Sequence, residues 1–306
     1  MTTIAAALAA ARAKLPASEA RLLLGHVMRQ GPAWLIAHDD ELLDEDALLA
    51  FAALVARRAG GEPVAYLVGY REFFGRRFAV SPAVLIPRPE TELLIELALA
   101  RVGAGALCVP GNPLARREAE SRVCRDRGQL TPGILDLGTG SGCIAITLAL
   151  ELPLSRVTAA DSSGAALQVA ASNARSLGAS LRLLQGDWYS GLGGERFDLI
   201  VSNPPYIAAG DPHLASGDLR HEPGQALASG ADGLDALRII IAGALRHLTP
   251  GGALMIEHGY NQADAVRWLM GDAGFSDIKA HADLAGVLRV TAGGLPSIGE
   301  APADSH

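Results

Sequence analysis

The stretch Asp136-Leu137-Gly138-Thr139-Gly140-Ser141-Gly142 lies between an apolar run and a second apolar segment with helical character. Its three glycines, at alternate positions, let a backbone pass close to a ligand without Cβ clashes and turn directly into a helix. The pattern therefore predicts a strand, a loop and a helix in succession, with a nucleotide-like ligand at the loop. The G-x-G-x-G spacing matches neither the dinucleotide fingerprint nor the phosphate loop that ends in G-K-[ST]. An ordinary tight turn would use the same glycines.

From Gly133 onward, short apolar runs alternate with helical segments almost to the end of the chain. We predict strands at Ile134–Leu137, Val157–Ala160, Leu181–Gln185, Phe197–Val201, Ala253–Glu257, Asp277–Ala280 and Val287–Val290. We predict helices at Cys143–Leu150, Ala165–Leu177, Leu234–Leu248 and Gln262–Met270. This alternation indicates an α/β fold with a mostly parallel sheet covered by helices on both faces. In such sheets, ligands bind beyond the carboxyl ends of the strands, where the strand order reverses.

Polar side chains follow the second and third predicted strands. Asp161 comes just over twenty residues after the glycine loop, where an acid can accept hydrogen bonds from both hydroxyls of a ribose. Asp187 could accept a hydrogen bond from an adenine amino group, and the indole of Trp188 offers a flat apolar wall. A helix cap and a partly buried core aromatic are equally compatible interpretations of these last two residues.

The fourth predicted strand stops abruptly at Asn203-Pro204-Pro205-Tyr206. Each proline fixes its own φ, lacks an N–H and holds the preceding residue in an extended conformation. The side-chain oxygen of Asn203 and the carbonyl of Pro204 are thereby left as acceptors without competing donors, a pair that suits a planar –NH2 group. The same tripeptide could simply terminate a strand. The glycine loop, the acid, the aromatic wall and the amide would nevertheless fall at successive strand ends along one edge.

Composition restricts the class of protein. The chain has 306 residues, of which 49% are hydrophobic and 19% charged, enough for one sizeable domain and a smaller one. Its formal net charge of −7 argues against a broad nucleic-acid-binding surface, and no apolar stretch of about 18 uncharged residues predicts a membrane span. Cys108, Cys124 and Cys143 have neither zinc-site nor disulfide spacing, which indicates a reducing compartment such as the cytoplasm and no metal site.

The chain outside the alternation divides into further segments. Residues 1–60 have helical periodicity and predict a small N-terminal bundle, and residues 61–87 predict a linker with an aromatic hairpin at Phe73–Phe78. A domain spanning residues 88–292 follows. Within it, residues 103–131 lack lasting periodicity and predict a surface insertion, with its arginines in a solvated loop rather than a nucleic-acid patch. Residues 293–306, rich in Gly, Pro, Ala and Ser, predict a disordered tail.

Beyond these patterns, the chain resembles S-adenosylmethionine-dependent methyltransferases that modify planar –NH2 groups, and it is most similar to the release-factor glutamine methyltransferase family. The resemblance covers most of residues 20–292; the longer 103–131 segment and the extra tail depart from it. The matching segments are Glu62–Leu67, Glu72–Gly75, Leu85–Glu92, Asp136–Gly142, Asn203–Tyr206, Glu222–Pro223, Asp232–Asp235, Glu257–Gly259 and Asp283–Gly286 with Arg289.

The resemblance implies a Rossmann-like methyltransferase domain behind a small helical domain that docks the substrate. It implies that Gly138, Thr139, Gly140, Ser141, Gly142, Asp161, Trp188 and Asn203 bind S-adenosylmethionine. It also implies that Asn203 and Pro204 are catalytic and that Asn203, Pro204, Pro205 and Tyr206 hold the substrate glutamine, with Tyr206 as a wall beside the glutamine stem. The expected partners are peptide chain release factors, methylated at the glutamine of a Gly-Gly-Gln motif, with no membrane and no direct nucleic-acid substrate.

Two other functions share parts of this pattern. An adenine-N6 nucleic-acid methyltransferase would use the same loop and amide, but it should also have a basic target-recognition domain and act on a flipped base. A non-catalytic binding module with the cofactor fold should have lost Asn203 or the loop glycines. The net charge and the N-terminal segment argue against the first alternative, and the intact residues argue against the second.

Overall fold

The structure is a computed structural model that describes residues 2–106 and 131–296. Helices are α1 Ile4–Ala11, α2 Ala17–Met28, α3 Pro32–Ala37, α4 Glu45–Ala59, α5 Val64–Val68, α6 Glu92–Ala106, α7 Cys143–Glu151, α8 Gly164–Leu177, α9 Asp235–His247 and α10 Ala263–Asp272. Strands are β1 Thr2–Thr3, β2 Leu42–Leu43, β3 Tyr70–Phe73, β4 Arg76–Ala79, β5 Gly133–Leu137, β6 Arg156–Asp161, β7 Arg182–Gln185, β8 Phe197–Ser202, β9 Leu248–Glu257, β10 Ser276–Ala282 and β11 Leu288–Gly294. The seven strands and four helices predicted after Gly133 are all present, and most of their boundaries lie within two residues of the prediction.

The N-terminal residues form the predicted helical bundle. Leu23, Leu24 and Phe51 are buried at its centre, and Asp44 caps α4 by accepting a hydrogen bond from the Ala47 amide at 2.6 Å. Helix α5 lies inside the segment predicted as a linker, yet Leu67 and Val68 pack into the same apolar cluster. This cluster therefore extends past residue 60, because α5 buries its apolar face against α2 and α4.

The aromatic hairpin is confirmed as β3 and β4. Phe74 and Gly75 connect the strands with positive φ angles of 49° and 71°, which matches the twist of a tight hairpin. Phe73 and Phe78 are buried and pack edge to face, with their ring centroids 6.0 Å apart, in the same apolar core as α6 and α7. Asn173 of α8 bonds both backbone groups of Ala79, so the hairpin is fastened to the larger domain.

Seven strands form the central sheet in the order β10-β11-β9-β8-β5-β6-β7. Strands β5 to β9 run parallel to one another, whereas β11 runs antiparallel to both β9 and β10. Apolar side chains of α6 and α7 cover one face and those of α9 and α10 cover the other. The strand order reverses between β5 and β8, as the predicted doubly covered α/β fold requires.

The boundaries of two predicted segments, the insertion and the tail, differ from those in the structure. Helix α6 continues to Ala106, so the first four residues of the predicted insertion are helical, because the apolar stripe of α6 continues past Leu99. Strand β11 continues to Gly294, where Gly293 pairs with Leu254, so the predicted tail begins inside the sheet. Residues 107–130 of the insertion, with Cys108, Cys124 and its arginines, and residues 297–306 lie outside the described residues.

Candidate active site

A cleft lies at the carboxyl ends of β5, β6, β7 and β8, where the strand order reverses. The cleft is concave and open to solvent at its mouth. Four residues of the lining lie at or just after successive strand ends: Asp161 ends β6, Gly138 and Asn203 come one residue after β5 and β8, and Trp188 comes three residues after β7. The predicted convergence of these side chains is therefore present in the tertiary structure.

The glycine loop turns the chain from β5 into α7. Gly138 and Gly140 have φ angles of 72° and 54°, in the left-handed region where side chains are strained. The amides of Gly138 and Thr139 donate to the carbonyl of Ala160 at 2.9 and 3.0 Å, which ties the loop to the end of β6. Together with Ser141, these residues line the cleft as predicted.

Gly142 differs from the other loop glycines, because it does not line the cleft. Its φ is 81°, and a Cβ there would lie 2.7 Å from the Ile146 side chain and 3.1 Å from that of Ala170. Gly142 therefore permits the close approach of α7 to α8, and the structure places it behind the predicted cofactor surface.

Asp136 is fully buried at the base of the loop. The Thr139 hydroxyl donates to its Oδ2 at 2.6 Å, whereas its Oδ1 has no hydrogen-bond partner among the described residues. Burial raises the pKa of Asp136 to about 7, although the hydrogen bond from Thr139 opposes the rise. A buried oxygen without a partner beside a ligand cleft indicates that this acid has unused capacity to accept a hydrogen bond.

Asp161 lines the cleft at the end of β6. Its Oδ2 accepts the Gly140 amide at 2.8 Å, and its Oδ1 accepts the Ser163 amide at 2.9 Å. Each carboxylate oxygen can accept more than one hydrogen bond, so both retain capacity for a hydroxyl donor. Asp161 therefore shapes the glycine loop as well as facing the cleft.

Asp187 and Trp188 follow β7 and both line the cleft. Trp188 has a φ of 49°, an uncommon conformation for a bulky residue, and its ring lies 3.7 Å from the position of a Cβ on Gly138. Strained backbone of this kind clusters at ligand-binding sites. The indole thus forms a wall of the cleft directly beside the glycine loop.

Asn203 follows β8 and is half-buried at the cleft. Its Nδ2 donates to the Thr91 hydroxyl oxygen at 2.9 Å. With the –NH2 end of the amide engaged, Oδ1 remains as an acceptor. Pro204 is buried behind the cleft surface, and no donor among the described residues bonds its carbonyl. The two acceptors expected from the sequence are therefore free of donors within the described chain.

The next two residues, Pro205 and Tyr206, differ in their position relative to the cleft. Pro205 lines the cleft, whereas Tyr206 is not among the lining residues, and its role as a wall beside a glutamine stem stays a prediction. The Tyr206 hydroxyl instead donates to Oε1 of Glu257 at 3.3 Å, and its carbonyl accepts from Gln262 at 2.9 Å. Glu257 ends β9, the strand next to β8.

Several residues around the cleft were not predicted from the sequence. The segment Ala83–Thr91, largely within the predicted linker, covers one side, with Val84, Pro87 and Arg88 in the lining. Glu222 holds this segment by accepting the Ile86 amide at 2.9 Å and pairing with Arg88. The sequence shows Glu222 in a short Glu-Pro segment after the Asn-Pro-Pro turn. Nothing in that segment identifies Ile86 and Arg88 as the distant residues that Glu222 contacts.

The cleft fits S-adenosylmethionine in three respects: a glycine loop at a helix N-terminus, an acid at the end of β6 with free lone pairs, and an indole wall. Asp136 adds a buried acceptor at the base of the loop. Within residues 2–106 and 131–296, no group of three His, Cys, Asp or Glu side chains could hold a metal ion. No helix in these ranges is long and apolar enough to cross a membrane.

Comparison with known proteins adds independent information. Residues 1–69 match the model of the PrmC N-terminal domain, and residues 127–230 match that of the methyltransferase small domain. The chain is 50% identical to the release factor glutamine methyltransferase of Burkholderia pseudomallei, over 92% of this chain and 93% of that protein. It is 40% identical to the protein of the same name from Escherichia coli, over 91% and 92% of the two chains. A methyltransferase from Pyrococcus furiosus shares the fold, with a TM-score of 0.51 and 17% identity over 79% of this chain and 97% of that one.

Proposed function

The chain belongs to the release factor glutamine methyltransferase family, and on that premise we propose that it methylates the glutamine side-chain amide of peptide chain release factors with S-adenosylmethionine. The observation that best supports this function is the Asn203 amide, whose –NH2 end is engaged by Thr91 so that Oδ1 remains available beside Pro204. Two fixed acceptors suit a substrate group with two N–H donors. We place the glutamine of a Gly-Gly-Gln motif there.

S-adenosylmethionine supplies an electrophilic methyl group when it is bound. The residues that would hold it are Gly138 to Ser141, Asp161 and Trp188, which line the cleft together. Asp161 would accept ribose hydroxyls with the lone pairs that Gly140 and Ser163 leave unused. The Trp188 indole would pack against the flat face of the adenine.

A glutamine amide is a poor nucleophile, because its nitrogen lone pair is delocalised into the carbonyl. Accepting its two N–H bonds at Asn203 Oδ1 and the Pro204 carbonyl would fix the nitrogen in position and stabilise the positive charge that develops on it. Fixed acceptors at a rigid strand end need no reorganisation during the reaction, which is how electrostatic stabilisation lowers a barrier. No general base is required before transfer, because a methylated amide cation loses its proton readily.

The adenine-N6 alternative is not favoured. It shares the loop and the amide, but the relatives at 40–50% identity over most of the chain are named release factor glutamine methyltransferases. In addition, the N-terminal segment matches the PrmC N-terminal domain. We therefore expect a protein substrate and no direct nucleic-acid substrate.

We assign substrate docking to the N-terminal helices. They supply no residue to the lining of the cleft, yet they contact the segment that follows Asn203 through Arg58 and Asp218. This arrangement suits a domain that holds a large protein while the cleft holds one side chain. Since release factors belong to the translation machinery, we expect the protein to act in the cytoplasm.

The test is mass analysis of a Gly-Gly-Gln peptide after incubation with the protein and S-adenosylmethionine. We expect the gain of one methyl group on the glutamine side chain, located by fragmentation. A Gly-Gly-Glu peptide is the matched control and should stay unmodified. Methylation of an adenine-containing oligonucleotide but not of the peptide would overturn the proposal in favour of the alternative.

A further inference from the structure

Gln262 connects the loop after β9 to the segment that follows β8. It directly precedes α10, and it is 8% exposed. Its Oε1 accepts from the Gly259 amide at 2.8 Å, and its Nε2 donates to the Tyr206 carbonyl at 2.9 Å. A longer bond of 3.4 Å joins Nε2 to the Gly233 carbonyl. The side chain makes no capping bond to α10, so both ends of its amide serve neighbouring loops.

The partners of the Gln262 amide fix its direction. A backbone N–H can only donate, and a backbone carbonyl can only accept. The amide oxygen must therefore face Gly259, and the –NH2 end must face Tyr206. A reversed amide would set oxygen against oxygen at Tyr206 and N–H against N–H at Gly259.

The peptide unit between Tyr206 and Ile207 is held at both of its polar atoms. Its carbonyl accepts from Gln262, and its N–H donates to the Leu227 carbonyl at 2.9 Å. Gly233 permits this close packing: its φ is 78°, and a Cβ there would overlap the Tyr206 carbonyl oxygen and lie 2.9 Å from Gln262 Nε2. The plane of this peptide unit is therefore fixed immediately after the two prolines.

We propose that Gln262 is a positioning residue, which acts through Tyr206 to aim the Pro204 carbonyl into the cleft. The inference rests on the proposed function, in which that carbonyl accepts one N–H of the substrate glutamine. The prolines transmit the constraint, because their rings fix φ at Pro204 and Pro205, and Pro205 holds Pro204 extended. Few free torsions then separate the fixed peptide unit from the Pro204 carbonyl. Gln262 is not among the residues that line the cleft, and we assign it no contact with substrate or cofactor.

Removal of the amide tests the role directly. Gln262→Met keeps the length of the side chain and removes both hydrogen bonds. We expect it to lower the single-turnover rate at saturating Gly-Gly-Gln peptide by about ten- to a hundredfold, the scale of a misplaced reacting group, with unchanged affinity for S-adenosylmethionine. A wild-type rate in this variant would overturn the proposal.

Thr249→Val is the matched control for the loss of a hydrogen bond. Thr249 donates to Asp198 at 2.9 Å near the start of β9, at the end of the strand opposite Glu257. This variant should keep the wild-type rate, and thermal melts should show that it and Gln262→Met are folded. An equal loss of rate in both variants would show that Gln262 contributes only to stability.

Gln262→Glu adds a readout that a purely structural role would not produce. A protonated carboxyl accepts from Gly259 and donates to the Tyr206 carbonyl, whereas an ionised one has no donor for that carbonyl. Burial beside carbonyl oxygens should raise the pKa of the introduced carboxyl. The ratio of the variant rate to the wild-type rate should therefore fall as the pH rises, and a ratio independent of pH would contradict the proposal. The ratio corrects for nearby charged or titratable groups that both proteins share: Glu257, His258, Asp264 and Arg289.

The sequence offers a direct probe of the Pro204 carbonyl. Pro204-Pro205 is the only Pro-Pro peptide in the chain, so proline labelled with carbon-13 at the carbonyl and with nitrogen-15 gives a single coupled pair. We expect this carbonyl resonance to shift in Gln262→Met and to stay unchanged in Thr249→Val. An unchanged resonance in Gln262→Met would overturn the proposal. Because this measurement needs no substrate, it separates failure of the positioning role from failure of the proposed function, which an inactive wild-type protein would reveal.

Discussion

Arg58 of α4 donates to Asp218 at 2.8 Å, although 160 residues of chain separate them. Arg58 also holds Glu19 of α2 with two hydrogen bonds of 2.7 and 2.9 Å, and only 19% of its side chain is exposed. Nearby, the Arg220 guanidinium donates to the Gly60 carbonyl at 2.9 Å. The N-terminal helices are therefore bonded to the segment that leads from Asn203 towards Glu222, which in turn holds one side of the cleft.

This contact yields a prediction about substrate size. Arg58→Ala should reduce methylation of an intact release factor by about fivefold, corresponding to about 1 kcal/mol for a partly buried ion pair, with less effect on a short Gly-Gly-Gln peptide. The readout is the ratio of the two rates under identical conditions. Arg57→Ala is the matched control, since Arg57 pairs with Glu62 and not with Asp218. An equal loss on both substrates would count against docking by the N-terminal helices.

The second prediction concerns the acid at the end of β6. Asp161→Ala should weaken binding of S-adenosylmethionine by about 1–3 kcal/mol, because ribose hydroxyls lose their acceptor and the Gly140 amide loses its partner. Isothermal titration calorimetry measures this directly. Asp272→Ala, at the exposed end of α10, should leave the affinity unchanged. Unchanged affinity in Asp161→Ala would remove the residue from the cofactor site.

The third prediction concerns the amide at the end of β8. Asn203→Ala should lower the turnover rate by about 10²–10³, the usual cost of deleting one group that stabilises developing charge. The fold should survive, because Asn203 is only half-buried at the rim of the sheet. Asn203→Asp keeps both acceptor positions but adds a charge beside a cationic cofactor, and it should bind that cofactor tightly while turning over slowly. Single-turnover kinetics with a thermal melt as control would decide, and near-normal turnover in the alanine variant would reduce Asn203 to a strand terminator.

The fourth prediction concerns stability and pH. Burial raises the pKa of Asp136 to about 7, above its ordinary value of 3.8, so the folded protein retains a proton that the unfolded chain has lost. The stability that this proton provides is fully present below about pH 4 and is lost as the pH rises through about 7. The lowered pKa of His258 acts in the opposite direction, since burial disfavours its charged form. The wild type must therefore be compared with a variant that lacks only the Asp136 titration.

Asp136→Asn provides that comparison. The free energy of unfolding, from urea titrations at about pH 5 and about pH 8, should fall with pH more steeply in the wild type than in Asp136→Asn. The difference should be on the order of 2–4 kcal/mol, from a shift of about three pKa units. Parallel pH dependences in the two proteins would show that Asp136 is ionised in the folded state across this range.

Whether a feature of the fold or the site could be predicted from the sequence depends on how far apart along the chain its interacting residues lie. The glycine loop, the strand ends at Asp161 and Trp188, and the acceptors of Asn203 and Pro204 follow from local chemistry. Glycine spacing and proline stiffness act within a few residues, and parallel strands place their carboxyl ends on one edge in any such sheet. The same local signals do not show that Gly142 lies against Ile146 and Ala170 or that the Tyr206 hydroxyl bonds Glu257, because the packing of α7 on α8 and the position of Glu257 are not local.

The sequence by itself determined the α/β alternation, the aromatic hairpin and the row of polar residues at the strand ends, because each depends on periodicity or on conformational limits of single residues. Only the tertiary structure decided which distant residues form hydrogen bonds with the residues around the cleft. Thr91 reaches Asn203 across 112 residues, and Glu222 reaches Ile86 across 136. Such pairs form because the β8–β9 register and the segment over the cleft bring them together, and burial then gives a hydroxyl or a carboxylate few other partners. No pattern in the intervening chain specifies that proximity.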